Sequence, residues 1–140
     1  MKKTMFLGIM LLLGGAQIFG ADDPFQIVKK VVTELQQEFT GYAQHSGHEP
    51  DHETLKKIPG VFSQTLTILN ASSKNNEEKI EQAIKINQKA RDDFVAELQN
   101  PIWQTDVSQG FDRVIDWLNR TANSLGLKRK MTPEAQRLIS

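Results

Sequence analysis

All three histidines of this chain fall within one short run, His45-Ser46-Gly47-His48-Glu49-Pro50-Asp51-His52-Glu53. Imidazoles interleaved with carboxylates are donors that zinc, copper or nickel would accept. A metal centre, however, needs its donors fixed at about 2 Å around one point. Gly47 and Pro50 mark the run as a loop, which preorganises nothing by itself. The sequence therefore favours a solvated loop, with His45, His48 and His52 as the ligand set of the alternative reading. Beyond that conditional zinc, copper or nickel, no cofactor is expected.

Other polar residues give weaker chemistry. Asp112 and Asp116 stand four apart, the spacing of a carboxylate pair on one helix face. At 100° per residue they fall more than 100° from the centre of that helix's apolar stripe. They are therefore solvated and unsuited to acid–base work that depends on burial. Asp92 and Asp93 are adjacent and diverge around the helix, and Asp116 with Arg120 is a surface i,i+4 pair. Asn87 and Arg91 interrupt an apolar stripe. Either they fix helix register or border a groove for a partner, or Arg91 lays its stem over the core and keeps its head in solvent. Trp103 and Trp117 are the candidate interface anchors beside Arg91, because tryptophan on the flank of a stripe can close a core or grip a partner. Asn70-Ala71-Ser72 and Asn119-Arg120-Thr121 match the glycosylation sequon, which matters only in a eukaryotic secretory route. The chain has no cysteine, which excludes thiol catalysis, thiol redox chemistry and cysteine-ligated metal. No phosphate loop, nucleophile elbow or zincin helix is present, so an enzyme is not expected.

The elements that would hold these residues read as helices. Asp23 caps and Pro24 opens a first helix to about Tyr42, with Val28, Val32, Leu35, Phe39 and Tyr42 at steps of four and three. Gly41 offers a stop. After the histidine loop, 53–58 reads as one short turn. Residues 61–71 fit a strand or a helix, and the helix is preferred, begun by Pro59, because a lone strand would leave its backbone unpaired. Asn75 or Asn76 caps a third helix to about Gln99, with Ile80, Ile84, Asn87, Arg91, Phe94 and Leu98 on one stripe. Asn100-Pro101 stops it. Trp103 then lies in a connector, and Asp106 caps a last long helix that Gly126 ends. Thr132-Pro133-Glu134 could start one more short helix through Leu138 and Ile139. The expected fold is all-α: an antiparallel bundle of three long helices plus one shorter helix.

Ahead of that bundle, residues 1–20 read as a signal peptide. Met1-Lys2-Lys3 is basic, Met5 to Leu13 is apolar, and Gly14 to Ala21 is mostly small. Cleavage after Gly20 leaves tolerated residues before the bond, whereas cleavage after Ala21 would put Phe19 where bulk is refused. A retained anchor is the competing reading, since Thr4 to Ala21 carries no charge; glycines and Gln17 dilute that run. Without cysteine there is no lipoprotein anchor. The domain proper is then 21–140, with a basic tail over 127–140. Removing Lys2 and Lys3 leaves fifteen basic against seventeen acidic residues, a net charge of about −2. That balance gives no reason to expect nucleic acid as a partner, and the cleaved chain would not stay in a membrane. The expectation is an exported bacterial-type protein, periplasmic or secreted, that binds an unidentified protein partner. A metal-binding module using loop 45–53 is the alternative.

Overall fold

The computed structural model describes residues 23–127, and every regular element among them is a helix. Four helices follow one another: α1 over Gln26–His45, α2 over His52–Asn70, α3 over Asn76–Glu97 and α4 over Pro101–Ser124. The leader, the basic residues after Leu127 and the short helix expected from Thr132 lie outside the described residues.

Their start and stop signals are local. Asp23 spends its carboxylate just before α1. Oδ1 accepts from the Phe25 amide at 2.9 Å and Oδ2 pairs with Lys29 Nζ at 2.6 Å. The helix therefore begins at Gln26 rather than directly after Asp23. It also runs past Gly41 to His45, since one helical glycine costs only about 1 kcal/mol and Tyr42 and Ala43 beyond it pack on the core. Asn75 caps α3 with a reciprocal box: its side chain accepts from the Glu78 amide at 2.9 Å, and Glu78 Oε1 accepts from the Asn75 amide at 3.1 Å. The carboxyl end of α4 is closed by Gly126 at φ 68°, where the Gly126 amide donates to Asn123 at 3.1 Å and Leu127 to Ala122 at 3.0 Å.

Further expectations are corrected at the prolines. The second helix is not a short one, because α2 spans 19 residues straight through Pro59 and Gly60. Proline removes one i→i−4 bond, to the Leu55 carbonyl, at a cost of about 3 kcal/mol. Leu55 and Ile58 before it, and Phe62 and Leu69 after it, are all fully buried on one face, and that burial outweighs the break. Likewise Trp103 is not in a connector and Asp106 caps nothing. Asn100 is the cap, accepting from the Ile102 amide at 2.9 Å, and Pro101 takes the first helical position. The Asn-Pro pair that stops α3 also starts α4.

Each helix packs on its neighbours in the chain, and α4 closes the ring by packing on α1. The partners run in opposite directions. Phe39 meets Phe62 while the earlier Gln36 bonds the later Ser63. Across α2 and α3, Thr54 reaches Glu97 and Thr65 reaches Asn87; Arg91 and Phe94 meet Asp112 and Phe111 on α4. One buried phenylalanine from every helix forms a central layer. Phe39 lies 5.9 Å from Phe62, Phe62 4.9 Å from Phe111, and Phe111 6.1 Å from Phe94, between ring centres. No helix among the described residues is long and apolar enough to cross a membrane.

Candidate docking groove

Alternating helix directions give the bundle two unlike ends. At one end the histidine loop meets the turn between α3 and α4; at the other, the start of α1 meets the end of α4.

The loop end is tied shut by the acids interleaved with the histidines. Asp51 is buried, and its two carboxylate oxygens accept from the Gln99 and Asn100 amides at 2.8 and 2.9 Å. These are amides that precede α4 and have no helical partner of their own. Glu49 accepts from Trp103 Nε1 at 2.6 Å. The Trp103 ring, half-buried, lies 5.1 Å from that of Tyr42, whose hydroxyl donates to Glu38 at 2.5 Å. The hydrogen bond to Glu38, burial and the neighbouring charges of Glu38 and Asp106 push the Tyr42 phenol up to about 12. Trp103 thus closes a core edge with its polar atom engaged.

His45 ends α1 and His48 sits in the turn, both exposed, while His52 opens α2 half-buried with Nδ1 3.1 Å from the buried Ser46 Oγ. Among the described residues no group of three or more histidine and carboxylate side chains is arranged to hold a metal ion.

Arg91 lies between these ends. It bonds Asp112 on α4 at 2.7 Å and its neighbour Asp92 at 3.1 Å. Burial alone would lower the guanidinium's pKa; the bonds to Asp112 and Asp92 outweigh it and raise it. Asp112 is about half exposed, as is Asp116, which pairs with Arg120 at 3.1 Å. Asn87 is wholly buried. Its Nδ2 donates to Thr65 Oγ1 at 3.0 Å and to the Ala83 carbonyl at 2.7 Å, while its Oδ1 finds no donor among the described residues. That half-satisfied amide costs stability and fixes the height of α3 against α2.

The opposite end holds an open cleft of about 510 Å³. Its walls are Pro24 just before α1, Ile27 in the first turn of α1, Trp117 and Arg120 in the last turns of α4, and Leu125 just after α4. Ile27 is 54% exposed, unusual for an isoleucine beside a core, and Trp117 is half-buried. The Arg120 guanidinium lies over the Trp117 ring, 4.6 Å from its centre. An aliphatic side chain, an indole and a stacked guanidinium around a concave surface can desolvate an apolar side chain and give it a cation at the rim. Of the three residues expected to serve as anchors, Trp117 lines this groove, Trp103 packs at the other end and Arg91 is tied to Asp112. Ile27 escaped notice in the sequence because it lies just off the Val28–Val31–Val32 stripe. Its one signal was an apolar residue where a polar one would complete the pattern.

Compared with known proteins, the chain matches no family model, no curated protein and no solved structure.

Proposed function

We propose that this is an exported, non-catalytic helical protein that acts by binding another protein through the groove between the start of α1 and the end of α4. One observation carries the reading: Ile27 stands exposed beside Trp117, with Arg120 stacked on the indole, in an open cleft. Tryptophan and arginine are the residues that most often anchor interfaces, and an exposed aliphatic next to them supplies apolar area without reorganisation. Export rests on the basic, apolar and small-residue order of residues 1–20, with cleavage after Gly20 and a periplasmic or secreted destination.

A photo-crosslinking residue placed at Ile27 in the living cell tests both parts. The expected result is a higher-mass adduct with a distinct protein, formed in the exported fraction and lost when Trp117→Ala is added. The same residue at Lys85, exposed on α3, gives no such adduct. Equal adducts from both positions, or none from 27, would overturn the groove as the binding site.

A further inference from the structure

The groove lies beside the last described residues of the chain. Leu125 is part of its wall, and the cap at Gly126 turns the backbone off the helix axis. Leu127, partly buried, still packs against the core after that turn. Residues 128–140 follow it in the sequence. They begin with Lys128-Arg129-Lys130 and then place Met131, Ala135, Leu138 and Ile139 at steps of four, three and one. Those steps make one apolar stripe, and Thr132-Pro133-Glu134 is a helix start signal ahead of most of it.

Reach and concentration both favour this segment as the occupant. The groove wall over residues 117–125 rises about 12 Å along α4. The spacer 128–132 spans up to about 17 Å when extended, enough to return along that wall. A segment tethered this closely acts at an effective concentration on the order of millimolar, so a weak apolar contact suffices to fill the cleft. Asp116, about half exposed and paired with Arg120, is the carboxylate next to Trp117 on α4.

We propose that the apolar stripe of residues 131–139 folds back and occupies the Ile27–Trp117 groove of its own chain, so that a partner binds by displacing it. The regulatory half of this proposal rests on the partner-binding reading above; the docking half does not. Leu138 and Ile139 would then lie against Ile27 and Trp117, and the basic run would cross the rim.

The absence of cysteine makes the test direct, because two introduced thiols are the only ones in the molecule. In the full chain, Ile27→Cys with Leu138→Cys is expected to oxidise to an intramolecular disulfide. It should do so roughly ten-fold or more faster than Ile102→Cys with Leu138→Cys, given the effective concentration of a docked segment. Ile102 is an exposed residue of the first turn of α4, at the far end of the bundle. Equal rates for the two pairs would overturn the docking, and so would a disulfide-linked dimer from dilute protein, which would give the groove to a second copy. A readout without thiols uses Trp103→Phe, which leaves Trp117 as the sole indole. Adding Leu138→Asp and Ile139→Asp should redshift its emission and raise its quenching by iodide; unchanged emission and quenching would overturn the docking.

The crosslinker at position 27 separates the two readings. A disulfide without any partner adduct retains the docking and overturns the partner site. An adduct whose yield is unmoved by Leu138→Asp and Ile139→Asp retains the partner site and overturns the displacement. A yield that rises with those substitutions supports both.

Discussion

Tyr42 is the only tyrosine in the chain, so its ionisation can be read without interference from another phenol. The bond to Glu38 holds the proton on, and the negative charges of Glu38 and Asp106 oppose its loss. The near-ultraviolet absorbance of phenolate should therefore rise with a midpoint near 12 instead of 10. Glu38→Gln should bring it back toward 10; a native midpoint at 10 would remove Glu38 as the cause. The stability sign follows. A raised folded-state pKa favours the protonated form, so the contribution is complete below 10 and is lost as pH climbs through 12. Tyr42 is partly solvated, so the contribution is screened to about 1 kcal/mol or less. The spacing of four on one helix permits this pair, whereas nothing in the sequence near Glu49 and Asp51 indicates their roles. Their partners, Trp103, Gln99 and Asn100, are about fifty residues away in sequence, and spacing within a loop says nothing of what folds onto it.

Glycines sort the helices by how closely their backbones approach. A Cβ on Gly110 of α4 would sit 3.0 Å from Phe39 Cε2 and 3.3 Å from Cζ, while Gly41 and Gly60 have open space within 4 Å. Phe39 is itself buried in the four-phenylalanine layer, so any shift of its ring to make room disturbs that packing. For Gly110→Ala, overpacking of about 1–3 kcal/mol outweighs a helix-propensity gain of about 1 kcal/mol, for a net loss on the order of 1 kcal/mol. Gly60→Ala, in contrast, should gain roughly 0.5–1 kcal/mol. Urea unfolding of the two variants checks both signs; stabilisation by Gly110→Ala would show that the α1–α4 approach is loose. At this scale the sequence was a good guide at Asn75 and Gly126, where the expected caps form, but not at Asp106, which lies inside α4. It misled at Pro59-Gly60, where a local breaker was read without the burial on both its sides, and after Asn100-Pro101, where a correct stop was not also read as the cap and first residue of the next helix. Breakers state a cost; packing on either side decides whether the helix accepts it.

At the scale of the molecule, the described residues hold one core running through all four helices, from Phe25 and Val28 at the groove end to Leu55 and Leu98 at the loop end. Such continuity implies a single cooperative unfolding event. Trp103 and Trp117 stand near opposite ends of α4, so each single-tryptophan variant reports one end. Their urea midpoints should coincide with each other and with the loss of helical dichroism. Separate midpoints would mean that the two ends melt as different units. The all-helical class was readable from the sequence because the stripes are long and regular. The groove was not, because it is made by α1 and α4, which meet only when the ring closes. That closure also decides how the molecule stands when something holds it. With four alternating helices, both ends of the described chain emerge at the groove, and Lys79 at the start of α3 lies over Phe25 there too. A fused domain or a sensor surface attached close to Asp23 or Leu127 would therefore sit at the groove end and turn the histidine loop outward. Immobilisation through an exposed residue of that loop, such as His48, would leave the groove facing solution, so the point of tethering selects which face a partner can meet.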